Sequence, residues 1–286
     1  MVQTWPVVRI LRVGYGLVRG CHPEPSVAVT TVACLLAIAV GRGAAGTVAV
    51  GVAVLAGQLS IGWSNDWLDA AGDAASRRRD KPTVTGAVPV RTLAVAALVA
   101  GVAVVPLSLL SGLAAGLVHI TAVASAWLYN WPLKATVVSV LPYLVSFGLL
   151  PAFVVLGLAG TPVPPWWLCT AGALLGGGAH FFNTLPDLAA DRAAGIRGLP
   201  HRLGPTAAWL VGSAMLLGAS VVLAVAPTGL PAAFRYAALA VAALALVAGR
   251  VAGRLGWLGR QAAFRTVLVV AIIDVTLLVM AGTAIR

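Results

Sequence analysis

The sequence predicts an all-α fold, a polytopic membrane bundle of nine transmembrane helices with cytoplasmic cap loops. Composition is the first reason. Of 286 residues 60% are hydrophobic and 9% charged, against roughly 25% charged in soluble chains, and the mean hydropathy is +0.98. The second is that apolar runs close to the ~20 residues needed to cross a bilayer recur along the whole chain. The third is that all but three of the 19 basic residues fall on alternate connections between those runs.

The runs cover about 25–41, 46–64, 91–112, 113–130, 136–157, 166–185, 206–226, 232–249 and 264–285. Before the first, Arg9, Arg12 and Arg19 interrupt the apolar residues, so no cleaved signal peptide is expected. Runs one and two are the least cleanly separated. After run two come an acidic segment and a basic loop with Arg77, Arg78, Arg79 and Lys81, leading to Arg91. Lys134 follows run four; Arg192, Arg197 and Arg202 follow run six; Arg250, Arg254, Arg260 and Arg265 follow run eight. Only Arg42, Arg235 and Arg286 lie opposite, so the positive-inside rule puts the N-terminus and the basic loops in the cytoplasm, and the C-terminus outside. The net charge of +11 is thus dispersed by loop and excludes a nucleic-acid-binding face. Residues 1–286 form one intramembrane domain. Its three cysteines, Cys21, Cys34 and Cys169, have no metal spacing and read as small apolar fillers. Runs two to four and six to eight share a plan of span, acidic motif, basic loop and two more spans, as internal repeats do.

Acidic residues carry the chemistry. There are eight, and five of them are Asp66, Asp69, Asp73, Asp187 and Asp191. Both groups fall on the expected cytoplasmic side, at the ends of apolar runs, where like charges repel unless a cation holds them. Asp66, Asp69 and Asp73 are spaced i, i+3, i+7, with Asn65 beside them, and share one helix face. Asn183, Asp187 and Asp191 form a second stripe at i, i+4, i+8, kinked or opened at Pro186. Two facing carboxylate clusters suggest two divalent sites, with Mg²⁺ shared between carboxylates and a diphosphate as the common use. Each stripe is followed by a polar loop, 80–86 and 195–204, long enough to cap a cavity mouth and to present cations to an incoming diphosphate.

Ionising an allylic diphosphate needs metals and cationic side chains at the phosphate, and an apolar cavity for the carbocation. Trp63, Trp67, Tyr129, Trp131, Tyr143, Phe147, Phe181 and Phe182 are candidates to line that cavity, although packing or an interfacial belt is the favoured reading of each one taken singly. Asp274 stands alone in the last run and is expected to pair with Arg265. His180 is expected to be a core histidine, and His119 and His201 have no transition-metal spacing.

The segment Asn65-Asp66-x-x-Asp69-x-x-x-Asp73 resembles the NDxxDxxxD motif of the UbiA-type intramembrane prenyltransferases, and Asp187-x-x-x-Asp191 resembles their DxxxD motif. Tyr129-Asn130-Trp131-Pro132-Leu133-Lys134 and the stretch from Leu185 through Gly204 are similar to further segments of that family. The resemblance covers essentially the whole chain. It implies that Asn65, Asp66, Asp69 and Asp73 bind one Mg²⁺ and Asp187 and Asp191 a second, with Lys134 and Arg192 on the diphosphate. It implies Lys81 as a similar phosphate ligand, Tyr129 as an orienting group and Asn183 as a substrate neighbour. Arg19 and His22 lie where the family places polar groups near the acceptor, and Arg19 reads equally well as a positive-inside anchor. The implied activity is transfer of an isoprenoid chain from a prenyl diphosphate to a small, aromatic-type acceptor in the lipid bilayer of the cell membrane, without nucleic acid. A terpene cyclase would keep the ionisation and dispense with the acceptor. A transporter would need polar groups along a path across the bilayer, whereas these acids cluster on one side.

Overall fold

The computed structural model describes residues 6–78, 80–193, 195–227, 231–255 and 262–280, and among them the fold is helical, with no strand. Arg79, Arg260 and Arg286, three of the basic residues used for orientation, lie outside these. Helix α1 (Pro6–Gly20) meets α2 (Pro23–Ala39) at a break of 61°. The break is local chemistry: Pro23 and Pro25 open the next helix, and His22 before them takes a left-handed conformation, φ 53° and ψ 70°. Helix α3 (Gly43–Ala75) has 33 residues, about 50 Å at ~1.5 Å per residue, well beyond the ~30 Å of a bilayer's hydrocarbon core. The first acidic stripe lies in its last turns, so the helix carries the carboxylates past its own apolar stretch.

Helices α4 (Val90–Leu109), α5 (Leu113–Asn130), α6 (Leu141–Leu156) and α7 (Trp166–Thr184) follow, then the short α8 (Leu188–Ala193), α9 (Leu199–Val225), α10 (Ala232–Leu255) and α11 (Ala262–Met280). Each apolar run read from the sequence coincides with a helix. Five of them, α3, α4, α5, α9 and α10, are long and apolar enough to cross a membrane alone, and the bent α1–α2 pair makes six if it is one span. Nine crossings is therefore more than helix length establishes: α2 has 17 residues and α6 has 16. The fifth run begins late because Leu133–Ala135 is a 3₁₀ turn and helix resumes only at Leu141.

Sequential helices pack side by side, and α11 returns to α2, closing the bundle. One core unites Leu36, Val50, Val54, Phe153, Leu223 and Leu277; a second joins Phe182 and Leu216 to Leu246 and Val270. Outward faces keep large exposed apolar side chains, such as Leu98, Val99 and Val102 on α4, which suits lipid contact. Helix α7 is wedged between α6 and α9 by glycines. A Cβ at Gly176 would lie 2.5 Å from Phe147 Cβ and 2.7 Å from the Tyr143 carbonyl, and one at Gly178 would lie 2.6 Å from Leu216. Asp274 is 1% exposed and faces Ser220 of α9. Among the described residues no ion pair joins it to Arg265, whose side chain is exposed, so the expected pairing is not made: the two residues sit nine positions apart along α11.

Candidate active site

The ends of α3, α5 and α7 and the two polar loops meet in one polar patch. Its first half is the α3 stripe. Asp66 is 1% exposed and its Oδ1 accepts from Lys81 Nζ at 2.6 Å and from the His22 imidazole at 3.0 Å. Lys81 is itself buried and comes from the first loop. Asp69 is paired with Lys134 of the 3₁₀ turn after α5. Asn65 donates to Asn130 Oδ1 at 3.4 Å, and Asn130 donates in turn to Ser64 Oγ at 2.8 Å and to the Ile61 carbonyl at 2.9 Å, clamping α5 to α3 at the level of the carboxylates.

The second half is the 185–201 segment. Pro186 opens α7 into a 3₁₀ turn, Leu185–Asp187, before α8 begins, so the expected stripe bends: Asn183 is exposed at the end of α7, Asp187 lies on the turn and Asp191 on α8. His201 Nε2 donates to Asp191 Oδ2 at 3.1 Å. Burial pushes the Asp191 carboxyl up from its ordinary range, with Asp187 adding to burial and the His201 hydrogen bond opposing it.

Arg78 joins the halves. Its guanidinium lies 4.0 Å from Asp73 and 3.6 Å from Asp187, and it donates to Asp80 at 3.0 Å. Burial alone would lower its pKa, but the Asp80 hydrogen bond and the charges of Asp187 and Asp73 hold it above the ordinary value. The loops are stitched together as well. Ser139 Oγ accepts from the Leu199 N–H at 2.9 Å and lies 3.1 Å from His180 Nε2, and Gly198 passes so close to the Lys134 carbonyl that no side chain fits between them. Beneath, Tyr129 presents its ring edge-on to Tyr143 and His180, with centroids at 4.9 and 5.5 Å.

One expected phosphate contact, Arg192, and one residue expected near the acceptor, Arg19, make their hydrogen bonds to backbone and a tyrosine and not to the carboxylates. Arg192 is exposed and donates to the His201 carbonyl, and Arg19 donates to the Asp80 carbonyl at 3.2 Å and to the Tyr15 hydroxyl at 3.3 Å. Among the expected aromatic residues, Phe181 and Phe182 are buried in packing, Trp131 is 70% exposed, and Trp63 donates to the Leu17 carbonyl at 2.8 Å. Arg78 as a bridge, His201 and Asn130 were not singled out by the sequence. The polar stretch around Lys134 holds Asn130, and that position was the one available signal.

The donor set suits a hard divalent cation: carboxylates with a neighbouring amide, all oxygen ligands. Asp66 Oδ2 and Asp73 Oδ2 are buried with no hydrogen-bond partner among the described residues, and a buried carboxylate oxygen left bare is costly unless a cation meets it. Among the described residues no three His, Cys, Asp or Glu side chains converge there into a complete cage. That fits Mg²⁺, which binds through one or two carboxylates and completes its shell with water and substrate phosphate.

The family model described as UbiA prenyltransferase family matches residues 26–272. Among solved structures, a UbiA homolog from Aeropyrum pernix K1 is 23% identical with a TM-score of 0.68, over 91% of this chain and 97% of that one. A UbiA homolog from Archaeoglobus fulgidus bound to GPP and Mg²⁺ is 16% identical with a TM-score of 0.66, over 94% and 99%. A structure of digeranylgeranylglyceryl phosphate synthase is 14% identical with a TM-score of 0.64, over 95% and 98%. At these identities the likeness is one of fold. No curated protein matches the chain.

Proposed function

Because the chain belongs to the UbiA prenyltransferase family, we propose that it transfers an isoprenoid chain from a prenyl diphosphate to a small acceptor, releasing diphosphate. One observation carries the proposal: a single guanidinium, Arg78, lies within 4.0 Å of Asp73 and 3.6 Å of Asp187, so acidic groups far apart in the chain face one another across one polar centre. The homologs from Archaeoglobus fulgidus bound to GPP and DMAPP with Mg²⁺ support the same donor class here.

On this reading Asn65, Asp66, Asp69 and Asp73 hold one Mg²⁺ and Asp187 and Asp191 a second, and bound metal supplies Lewis-acid stabilisation of the leaving diphosphate. Lys81 stands on Asp66, Lys134 on Asp69, and Arg78 between Asp73 and Asp187. When a diphosphate binds, they donate to its oxygens as the negative charge develops. Apolar helices exclude water, and Tyr129, Tyr143 and Phe147 offer ring faces to the allylic cation. The nine apolar helices all cross the membrane in this reading, with the N-terminus and both loops in the cytoplasm.

The test is a screen with purified protein in detergent, prenyl diphosphates of graded length, Mg²⁺, and aromatic or alcohol acceptors, read by mass spectrometry and diphosphate release. A prenylated acceptor is expected. A cyclised hydrocarbon formed without acceptor would instead select the cyclase reading, which the cluster of Tyr129, Tyr143 and Phe147 rings also suits. No Mg²⁺-dependent diphosphate release with any donor would overturn both.

A further inference from the structure

Inward from the carboxylates, α3 continues the same face: Asp69, Asn65, Ile61, Gln58 and Val54 recur at helical spacing. Between this face, α5 and α6 lies a narrow cavity of about 40 Å³, lined by Gln58, Ile61, His119, Val123 and Phe147 among others. Gly57 keeps it open, because a Cβ there would meet Val123 at 3.0 Å and the His119 ring at 3.7 Å. Phe147 leads back toward the polar centre, stacked on Tyr143 with centroids 6.1 Å apart. Gln58 lies about 10 Å below Asn65 along the helix, from the ~1.5 Å rise per residue.

His119 is fixed on two sides. Its ring stacks on Phe153 at 4.4 Å, and its Nδ1 lies 2.7 Å from Ser108 Oγ. Ser108 Oγ is also 2.6 Å from the Val104 carbonyl oxygen. A serine hydroxyl has one hydrogen and a carbonyl can only accept. That hydrogen goes to Val104, so Ser108 accepts from His119, and the imidazole proton sits on Nδ1. Nε2 therefore carries a bare lone pair. His119 is 3% exposed, no described residue donates to Nε2, and the ring edge that bears it faces Gly57 and the cavity. The Gln58 amide on the same cavity makes no hydrogen bond among the described residues.

An acceptor lone pair and an unsatisfied amide turned into an apolar cavity are costly unless a partner meets them. A hydrocarbon tail meets neither, and a carboxylate or phosphate brings only acceptors to a cavity with no cation in its lining. A neutral hydroxyl satisfies both, donating to His119 Nε2 and accepting from the Gln58 NH₂. We infer that Gln58 and His119 form a subsite for a neutral O–H group of the acceptor, whose body extends past Phe147 toward the carboxylates. This rests on the transfer reading above and narrows it to acceptors that carry an uncharged hydroxyl at the end remote from the diphosphate.

The test needs neither donor nor metal. Purified protein with isotope-labelled histidine is titrated with para-propylphenol and, separately, with its methyl ether, while the side-chain nitrogen resonances of the four histidines are followed. The phenol is expected to shift His119 Nε2 and to bind at least about tenfold more tightly than the ether, the worth of one hydrogen bond. Gln58→Leu should erase that preference, and Ser108→Ala should weaken it by releasing the tautomer. Equal binding of the two probes, or a His119 resonance indifferent to the phenol, would overturn the subsite, as would a tightly held water that neither probe displaces. Should either variant fail to fold, the two probes on the unaltered protein decide the matter. Acceptor prenylation without a His119 response overturns the subsite alone; a response with no prenylated product for any acceptor overturns the transfer reading alone.

Discussion

Replacing Arg78 by leucine should uncouple the two acidic motifs. The side chain sits 3.6 Å from Asp187 and 4.0 Å from Asp73, with 23% of its own surface exposed against 27% and 8% for the two carboxylates. At an effective dielectric of 20 each contact is worth about 4 kcal/mol of Coulomb attraction before desolvation. The cost of burying the guanidinium and the solvent that reaches Asp187 remove about three-quarters of the sum, leaving about 2 kcal/mol. The 59%-exposed Asp80 adds nothing to this figure. The loss corresponds to roughly 30-fold in donor affinity or turnover. It is measured as Mg²⁺-dependent diphosphate release from geranyl diphosphate, alongside amide hydrogen exchange across 188–199. There the Ile196 N–H bonds to the Asp191 carbonyl and the Leu199 N–H to Ser139, so undocking should accelerate exchange at both. Lysine in place of Arg78 should recover only part, since a point charge cannot fork to three carboxylates. Full activity with unchanged exchange in the leucine variant would refute the bridge.

Lys134→Met should raise the donor KM and slow ionisation, with Lys134→Arg retaining part of the activity; wild-type kinetics in the methionine variant would remove Lys134 from the site. Asp69→Ala and Asp191→Ala should each lower turnover by orders of magnitude, as groups that act as a unit do, and substantial Mg²⁺-dependent activity in either would break the two-metal assignment. Gly176→Ala should lower the melting temperature by forcing a methyl to within 2.5 Å of Phe147, an overpacking cost of about 1–3 kcal/mol. An unchanged melting curve would show that α6 and α7 separate freely.

What could be read from the sequence was whatever depends on local period. The helices emerge from runs of apolar residues, and the α3 stripe from the i, i+3, i+7 spacing of three aspartates on one uninterrupted helix. The second stripe was legible only in composition, because Pro186 converts its middle into a 3₁₀ turn and changes where Asp187 points. Among three consecutive arginines, no local rule says that Arg78 rather than Arg77 turns inward; a turn and a long-range carboxylate decide it. The same holds for His22 on Asp66 and His201 on Asp191, which meet only when separate elements pack. The crossing count stayed below nine in part because α2 and α6 are short, starting after a break and after a turn that hydropathy averages over.

The glycine seam of α7 has a bearing on how this scaffold can diversify. Where backbone touches side chain with no room for a methyl, the spacing of α6 and α7 cannot be tuned by substitution from the α7 side, and the rings of Tyr143 and Phe147 are anchored by geometry that tolerates almost no drift. The opposite wall is permissive. A methyl at Gly57 would meet only side-chain atoms, Val123 at 3.0 Å and the His119 ring at 3.7 Å, so a small change there narrows the cavity against side chains that can shift and not against backbone. A lineage or a designer seeking a different guest would therefore find its freedom on α3 and α5, with α7 serving as the fixed jaw of a vice whose other jaw moves.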